Sequence, residues 1–389
     1  MITALLCAVS GMAGGAMQVN EAEVLKRSVV SQGDPARIRR VMARAQAGGK
    51  VVVGVIGGSI TQGAAASKEE CRWGNRVAQW WREAFPKANI QFVNAGIGAT
   101  GSDIGAHRCA AHLLAKKPDF VVAEYAVNDG NTQLAAETLE GIVRQVLSAP
   151  NNPGMMLLFT MNNAGGNAQE WHSKVGAHYG LPMVSFRDAL WPEIQAGRLR
   201  WEDVEGDIVH PNDRGHGECA RFIGSVLQGI KATVKPASAQ AAIKPLPKPL
   251  ISDVFQYAAM LGPAALKPTR SEGWGPGPDH WAFGAGWKST EPGSTLEFAV
   301  EGSTVSVIYF RIKGAMGRAL AQVDDLPPVT LEGWFDADWG GYDAAQIVAR
   351  DLKPGPHKLT IRLLNERAPA STGYEFRLIQ VLTAGMGRR

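Results

Sequence analysis

The chain of 389 residues has little sulfur to staple it: four cysteines, none of them in a C-x-x-C pair. Cys7, Cys71, Cys109 and Cys219 are scattered, which excludes a disulfide framework and a cysteine-built zinc site. They read as buried thiols with at most one disulfide. No group of His, Asp and Glu shows metal-ligand spacing either, so neither metal nor cofactor is expected. An excess of one charge is missing as well. The formal net charge of +4 spreads over the whole length, without the basic stripe that a nucleic-acid partner needs. Beyond the N-terminal segment no apolar run is long enough to span a bilayer. Internal repeats are absent.

What is present begins with an apolar, small-residue run, "ITALLCAVSGMAGGAM", over residues 2–17. It reads as the core and cleavage region of a secretory signal spanning residues 1–19, although the usual positive start is missing. The expectation is a secreted or periplasmic protein; the alternative is a plain hydrophobic segment on a cytoplasmic one.

From Lys50 to about Gln228, within a domain read over residues 20–230, short β-branched runs alternate with helical spacing. Runs lie at Val51–Ile56, Ile90–Val93, Phe120–Ala123, Met155–Thr160 and Met183–Phe186. Between them "GNRVAQWWREAF" and "LAAETLEGIVRQVL" place apolar residues at helical offsets. This alternation predicts a three-layer α/β/α domain with a mostly parallel sheet, whose functional residues gather at the carboxyl ends of strands. Residues 231–250, "KATVKPASAQAAIKPLPKPL", are rich in Pro, Ala and Lys and read as an extended, semi-rigid linker. Residues 251–389 then carry short alternating runs such as "STLEFAV" and "HKLTIRLL", the pattern of a β-sandwich of jelly-roll type.

Four stretches stand at the ends of these predicted elements. "VVVGVIGGSITQG" (Val51–Gly63) ends a buried strand in Gly57, Gly58 and Ser59. "FVNAGIGATGSD" (Phe92–Asp103) is a loop of small residues. "AEYAVNDGN" (Ala123–Asn131) closes a strand in Asn128-Asp129-Gly130. "GDIVHPNDRGH" (Gly206–His216) sets Asp207 three residues before His210. Pro211 biases His210 toward an extended backbone, so this loop enters a helix. Singly each has a plain reading: Ser59 as a helix N-cap, Asn-Asp-Gly as a turn, Asp-x-x-His as surface. Together, in this order and at strand ends, they form one serine-centred constellation that rarely arises by accident. It is not the Gly-x-Ser-x-Gly elbow, because Thr61 stands where the last glycine belongs.

Over residues 50 to 230 the sequence resembles the SGNH hydrolases, the GDSL-type esterase and acylhydrolase superfamily. The resemblance implies Ser59 as nucleophile, His210 as base and Asp207 as its orienting acid. It implies an oxyanion hole from the N–H of Ser59, the N–H of Gly98 or Ala99, and the Asn128 side-chain amide. The chain departs from the family in two places. Gly58 replaces the aspartate before the serine, and Ala126 replaces the glycine of the Gly-x-Asn-Asp motif. His107, His112, His172, His178 and His216 lack a neighbouring motif and read as structural or surface residues.

The phrases "GGSITQG", "NAGIGATGSDIGAHR" and "EYAVND", with a trailing β-domain, resemble the carbohydrate-esterase branch. They imply an O-acetyl esterase whose partner is an acetylated carbohydrate. Trp274, Trp281, Trp287, Trp334 and Trp339 fall in Gly- and Asp-rich stretches, where exposed rings suit sugar faces. Among them Trp334 and Trp339, in "GWFDADWGGYD", are the candidate substrate contacts; core packing is the alternative. Two rival functions remain at this stage: a thioesterase or lysophospholipase with the same machinery, and a carbohydrate-binding protein without activity.

Overall fold

A computed structural model describes residues 19–240 and 242–386, so the segment read as a signal lies, but for Val19, outside the described residues, and Cys7 with it. The first half is built on six strands: β1 (Val29–Ser31), β2 (Lys50–Gly57), β3 (Asn89–Gly96), β4 (Phe120–Glu124), β5 (Gly154–Phe159) and β6 (Met183–Ser185). They lie in the order β1-β6-β5-β4-β2-β3, all parallel except the short edge strand β1. Every residue of β4 and β5 is buried, as parallel strands covered on both faces must be.

Among the described residues nine helices accompany this sheet. The first four are α1 (Glu21–Ser28), α2 (Ala36–Gln46), α3 (Ser59–Gln62) and α4 (Trp73–Ala84). The others are α5 (Ser102–His112), α6 (Gln133–Leu147), α7 (Gln169–His178), α8 (Phe186–Gln195) and α9 (Asp213–Lys231). One apolar core joins Val77 and Trp81 of α4 to Val53 and Val55 of β2 and to Phe222 of α9. On the other face Ile142 and Val146 of α6 meet Val121 of β4 and Met155 of β5. Trp81 is fully buried, and truncating such a side chain costs about 3–5 kcal/mol.

In the second half every pairing between named strands is antiparallel. Its inner sheet holds β7 (Ala259–Leu261), β9 (Gly275–Pro276), β10 (Trp287–Ser289), β12 (Thr304–Arg311), β15 (Tyr342–Ala349) and β17 (Phe376–Ala384). The outer sheet holds β8 (Arg270–Glu272), β11 (Thr295–Gly302), β13 (Arg318–Val323), β14 (Val329–Glu332) and β16 (Gly355–Leu363). Leu296, Phe298, Ala321 and Ile361 of the outer sheet share one core with Val307, Phe376 and Leu378 of the inner sheet. The expected class therefore holds: an α/β half with a mostly parallel sheet, then antiparallel sheets. The outer strand β11 alternates buried and partly exposed residues, as a one-sided sheet does. Strands β12 and β17 do not alternate, because their other face is covered too. Ile308, Ile379 and Leu382 turn toward the first half and pack with Ile97 and Ile104.

The Pro-rich stretch does not stand free. Arg144 of α6 donates to Pro247 O (3.1 Å), His178 of α7 bonds Lys248 O (2.8 Å), and Lys244 pairs with Asp34 (3.1 Å). Glu140 of α6 then accepts the N–H groups of Leu250 (2.6 Å), Ile251 (2.8 Å) and Ser252 (3.1 Å). The stretch is extended only in part: Pro236–Gln240 form a short 3-10 helix, while residues 242–250 run without helix or strand, with Pro247 O, Lys248 O and Leu250 N–H bonded to helix side chains. Cys71, Cys109 and Cys219 are buried free thiols.

Candidate active site

Strand order explains where chemistry can gather. The chain passes from β2 outward to β3 and then returns to β4 on the opposite side of β2. That reversal opens a crevice at the carboxyl ends of β2 and β4, the usual ligand site of an open α/β sheet. Ser59 follows β2 and Asn128 follows β4, so both stand at this crevice.

Ser59 is the first residue of the one-turn helix α3, with Gly58 at its N-cap. Gly58 has no side chain for a spatial reason: a Cβ there would lie 2.3 Å from Asn128 Oδ1 and 3.1 Å from Thr100 O. The family's aspartate has no room at this position, and the asparagine side chain fills the space instead. Gly57 is equally confined, since a Cβ would fall 2.1 Å from Thr61 Oγ1 and 2.3 Å from Glu124 O.

The late Asp-x-x-His loop comes back over this turn. His210 Nε2 lies 2.8 Å from Ser59 Oγ, and His210 Nδ1 lies 2.7 Å from Asp207 Oδ2. With its Nδ1 proton donated to the carboxylate, the ring leaves Nε2 free to accept from the serine hydroxyl. Asp207 Oδ1 accepts the backbone N–H groups of Val209 and His210, both at 2.8 Å. Partial burial pushes the Asp207 carboxyl up, but the bonds from the His210 ring and these two amides outweigh it and hold the group below the ordinary aspartate range. The loop itself is braced by Trp201 Nε1–H to Asp207 O (2.7 Å) and by Asn163 N–H to Ile208 O (2.9 Å). Asn212 caps α9 by accepting from Arg214 and Gly215, and so ends the loop where Pro211 predicts.

The small-residue loop closes the other side. A Cβ on Gly98 would lie 3.9 Å from Ser59 Cβ, so this backbone runs beside the serine. Ala99 follows in the left-handed region at φ 55°. Behind the loop, fully buried Arg108 of α5 donates to Ala95 O (2.6 Å) and Gly57 O (2.8 Å), tying the ends of β3 and β2 together. Behind Asn128, Asp129 accepts Ser102 N–H (2.8 Å) and pairs with buried His172 (3.0 Å). Buried His216 bridges Trp73 N–H and Ala64 O just after α3. Sequence reading missed Arg108 and Glu124, and it gave His172 and His216 no place beside the site. A charge inside an apolar or small-residue run, as in "FVVAE" and "IGAHRCA", is the signal that was available.

Next to Asn128 a cleft of about 580 Å³ opens between the two halves. Ala99, Asp103 and Asn128 line one wall, and Ser306, Arg311 and Asp343 the other. Several buried polar atoms on these walls have no protein partner: Asn128 Oδ1, His107 Nε2, Ser306 Oγ, Arg311 Nε and Asp343 Oδ1. Desolvation pushes the Asp343 carboxyl up to about 7.

The tryptophans separate. Trp274 and Trp287 are buried in the sandwich core, contrary to a reading of them as exposed rings, while Trp281 and Trp339 are 69% and 64% exposed. Trp339 packs edge-on to Phe335 and lies near Tyr342, a cleft residue. Trp334 is half-buried behind them, with its carbonyl held by Arg311 (3.1 Å). Among the described residues no cluster of three or more metal-ligating side chains occurs, and no helix is long and apolar enough to cross a membrane.

The model of the GDSL-like lipase/acylhydrolase family matches residues 55–217. A solved two-domain esterase (CEX) active on acetylated mannans, co-crystallised with mannopentaose, is 30% identical with a TM-score of 0.85, over 94% of this chain and 99% of that one. The chain belongs to the GDSL-like acylhydrolases. A second structure described as that esterase gives 30% identity and a TM-score of 0.86 over the same shares. A lipolytic protein of the G-D-S-L family from Desulfitobacterium hafniense is 19% identical, covering 45% of this chain and 99% of its own, with a TM-score of 0.38. Comparison with curated protein sequences gave no match. As a GDSL-like acylhydrolase the protein is a carboxylic ester hydrolase.

Proposed function

We propose that this acylhydrolase is a serine O-acetyl esterase acting on acetylated carbohydrate chains. The observation that carries the reading is the continuous line of hydrogen bonds from Ser59 Oγ through His210 to Asp207, at the carboxyl ends of β2 and β4. His210 Nε2 takes the serine proton as Oγ attacks the acetyl carbonyl carbon. Asp207 holds the ring in that tautomer and stabilises the imidazolium. The tetrahedral oxyanion is met by the N–H of Ser59, a backbone N–H of the Gly98–Ala99 turn and the Asn128 amide, all preorganised. The intermediate collapses as the imidazolium gives its proton to the departing sugar oxygen. Water, deprotonated by the same nitrogen, then releases acetate from the acyl-serine.

Two features support a sugar alcohol as the leaving side. The interdomain cleft presents buried polar atoms without protein partners, which suit hydroxyl groups better than a fatty chain. The two-domain esterase that this chain resembles over almost its whole length is described as active on acetylated mannans. The test is release of acetate from acetylated mannan and other acetylated polysaccharides, run beside octanoyl and thioester substrates. Release from at least one acetylated glycan supports the reading. Turnover of the octanoyl or thioester substrates alone would overturn it.

A further inference from the structure

Glu124, the last residue of β4, is fully buried, and a carboxyl group is costly in such a place unless it is multiply bonded. Thr160 Oγ1 donates to its Oε1 at 2.7 Å, Thr61 Oγ1 reaches its Oε2 at 3.4 Å, and the Ala126 N–H bonds it as well. These three donors belong to three different strand ends. Thr61 lies in α3, two residues after Ser59. Ala126 lies two residues before Asn128. Thr160 follows β5 and opens the loop in which Asn163 N–H braces Ile208 O, next to His210. A single carboxyl therefore touches the segments carrying the nucleophile, the amide donor and the brace of the histidine loop. The pairing of Gly57 with Glu124 across β2 and β4, with no space for a Cβ on Gly57, keeps the contact tight.

We propose that Glu124 is a positioning residue for ester hydrolysis, which sets the separation between Ser59 and Asn128 through Thr61 and Ala126. This rests on the reading of Ser59 as the nucleophile. Stability alone does not account for it, because an apolar side chain at a buried site is often at least as stable as an ionisable one. Geometry does: a displacement of about 1 Å at a reacting centre can cost on the order of 10²-fold in rate. Burial pushes the Glu124 carboxyl up to about 7, against the pull of the Thr160 and Thr61 hydroxyls. The neutral amide of glutamine is accordingly a fair substitute, and leucine is the disruptive one.

The experiment compares Glu124→Leu, Glu124→Gln, Thr61→Val and the double variant Glu124→Leu/Thr61→Val on an aryl acetate, with kcat, KM and thermal unfolding measured for each. Glu124→Leu should lose about 30- to 100-fold in kcat with KM within about twofold, and Glu124→Gln should recover most of it. Thr61→Val should lower kcat several-fold in the wild-type background, by about the two- to tenfold worth of one hydrogen bond. In the Glu124→Leu background it should have no further effect, since both changes act through one contact. A folded Glu124→Leu with wild-type kcat overturns the proposal, and so do independent, multiplying effects. If Glu124→Leu does not fold, a wild-type kcat in Thr61→Val overturns it instead. Labelling of the wild-type protein with a serine-directed phosphonate keeps the two readings apart: modification elsewhere than Ser59 refutes the nucleophile assignment, whatever Glu124 does.

Discussion

The two halves of the molecule bury different things. Inside the α/β half lie His107, Arg108, Glu124, His172, Glu205 and His216, all ionisable and all below 5% exposure. Inside the β half, among the described residues, Asp343 is the only buried carboxyl, histidine, lysine or arginine, and it faces the cleft; the rest of that core is apolar or carries hydroxyls and amides. Parallel strands explain the contrast. Their carboxyl ends converge on one side and leave carbonyls and amides that loops must satisfy, so Arg108 and His216 find partners there, while Glu205 and His107 Nε2 are buried without one in the protein. Antiparallel sheets pair their own backbone and leave the interior nothing polar to do. One half can hold a reactive constellation rigid; the other offers only its loops and rim.

The comparison predicts that single changes which abolish chemistry fall in the first half only. The largest effect is expected for Ser59→Ala, a loss of about 10⁴- to 10⁶-fold in kcat with unfolding temperature unchanged, read with an aryl acetate. Asn128→Ala should follow with a loss on the order of 10²- to 10³-fold in kcat, the usual consequence of removing one oxyanion donor. Near wild-type turnover in either folded variant breaks the assignment of the first half.

A smaller effect tests the rim. Trp339→Ala should leave aryl acetate hydrolysis unchanged and weaken activity on an acetylated polysaccharide by about fivefold, the size of one aromatic stacking contact of about 1 kcal/mol. Equal loss on both substrates would mean that this loop reaches the reacting atoms, and the division between the halves would blur.

The smallest effect is one of pH on the β half alone. Burial works against protonation of His357, but its bonds to the Asp324 carboxylate (2.7 Å) and the Lys353 carbonyl (2.9 Å) prevail and raise it above the ordinary 6.5. Asp324, held by Lys358 N–H and then by His357, is lowered below 3.8. A raised histidine stabilises fully below 6.5 and loses its contribution as pH climbs through the raised value; a lowered aspartate stabilises above 3.8 and loses its contribution on acidification. The pair thus contributes most between those limits. His357→Gln should lower the unfolding temperature by about 1–3 °C at pH 5, and the difference should shrink by pH 8–9 while aryl acetate turnover stays unchanged. A difference that grows with pH refutes the pairing.

How much of this was legible in the sequence follows from the same physics. The strands β2 and β4 to β6 show in the sequence within a few residues, because strands buried on both faces leave unbroken apolar runs, and edge strand β3, partly exposed, still shows through the β-branched and aromatic residues of Ile90–Val93. Edge strand β1 does not, since "VVS" is too short to carry a pattern. Ser59, Asn128, Asp207 and His210 are legible because each stands at a boundary where composition changes abruptly. The supports behind them are not: Glu124 and Arg108 act through partners 36 and 51 residues away, which no local pattern encodes. The joint is hidden for a similar reason. Proline and lysine mark residues 231–250 as extended, but nothing in those letters says that Glu140, Arg144 and His178 wait to receive the backbone.

That reception has a mechanical consequence. Three successive amides, from Leu250 to Ser252, end on one carboxylate of α6, while Arg350 of the β half reaches Glu137 one turn earlier on the same helix (3.2 Å). The helix acts as a spacer gauge, clamped at two marks, and the slot it sets has its width before any ligand arrives. The width of the cleft is thereby set from within the chain, by two contacts on one helix, and the side chains along its walls shape the rest.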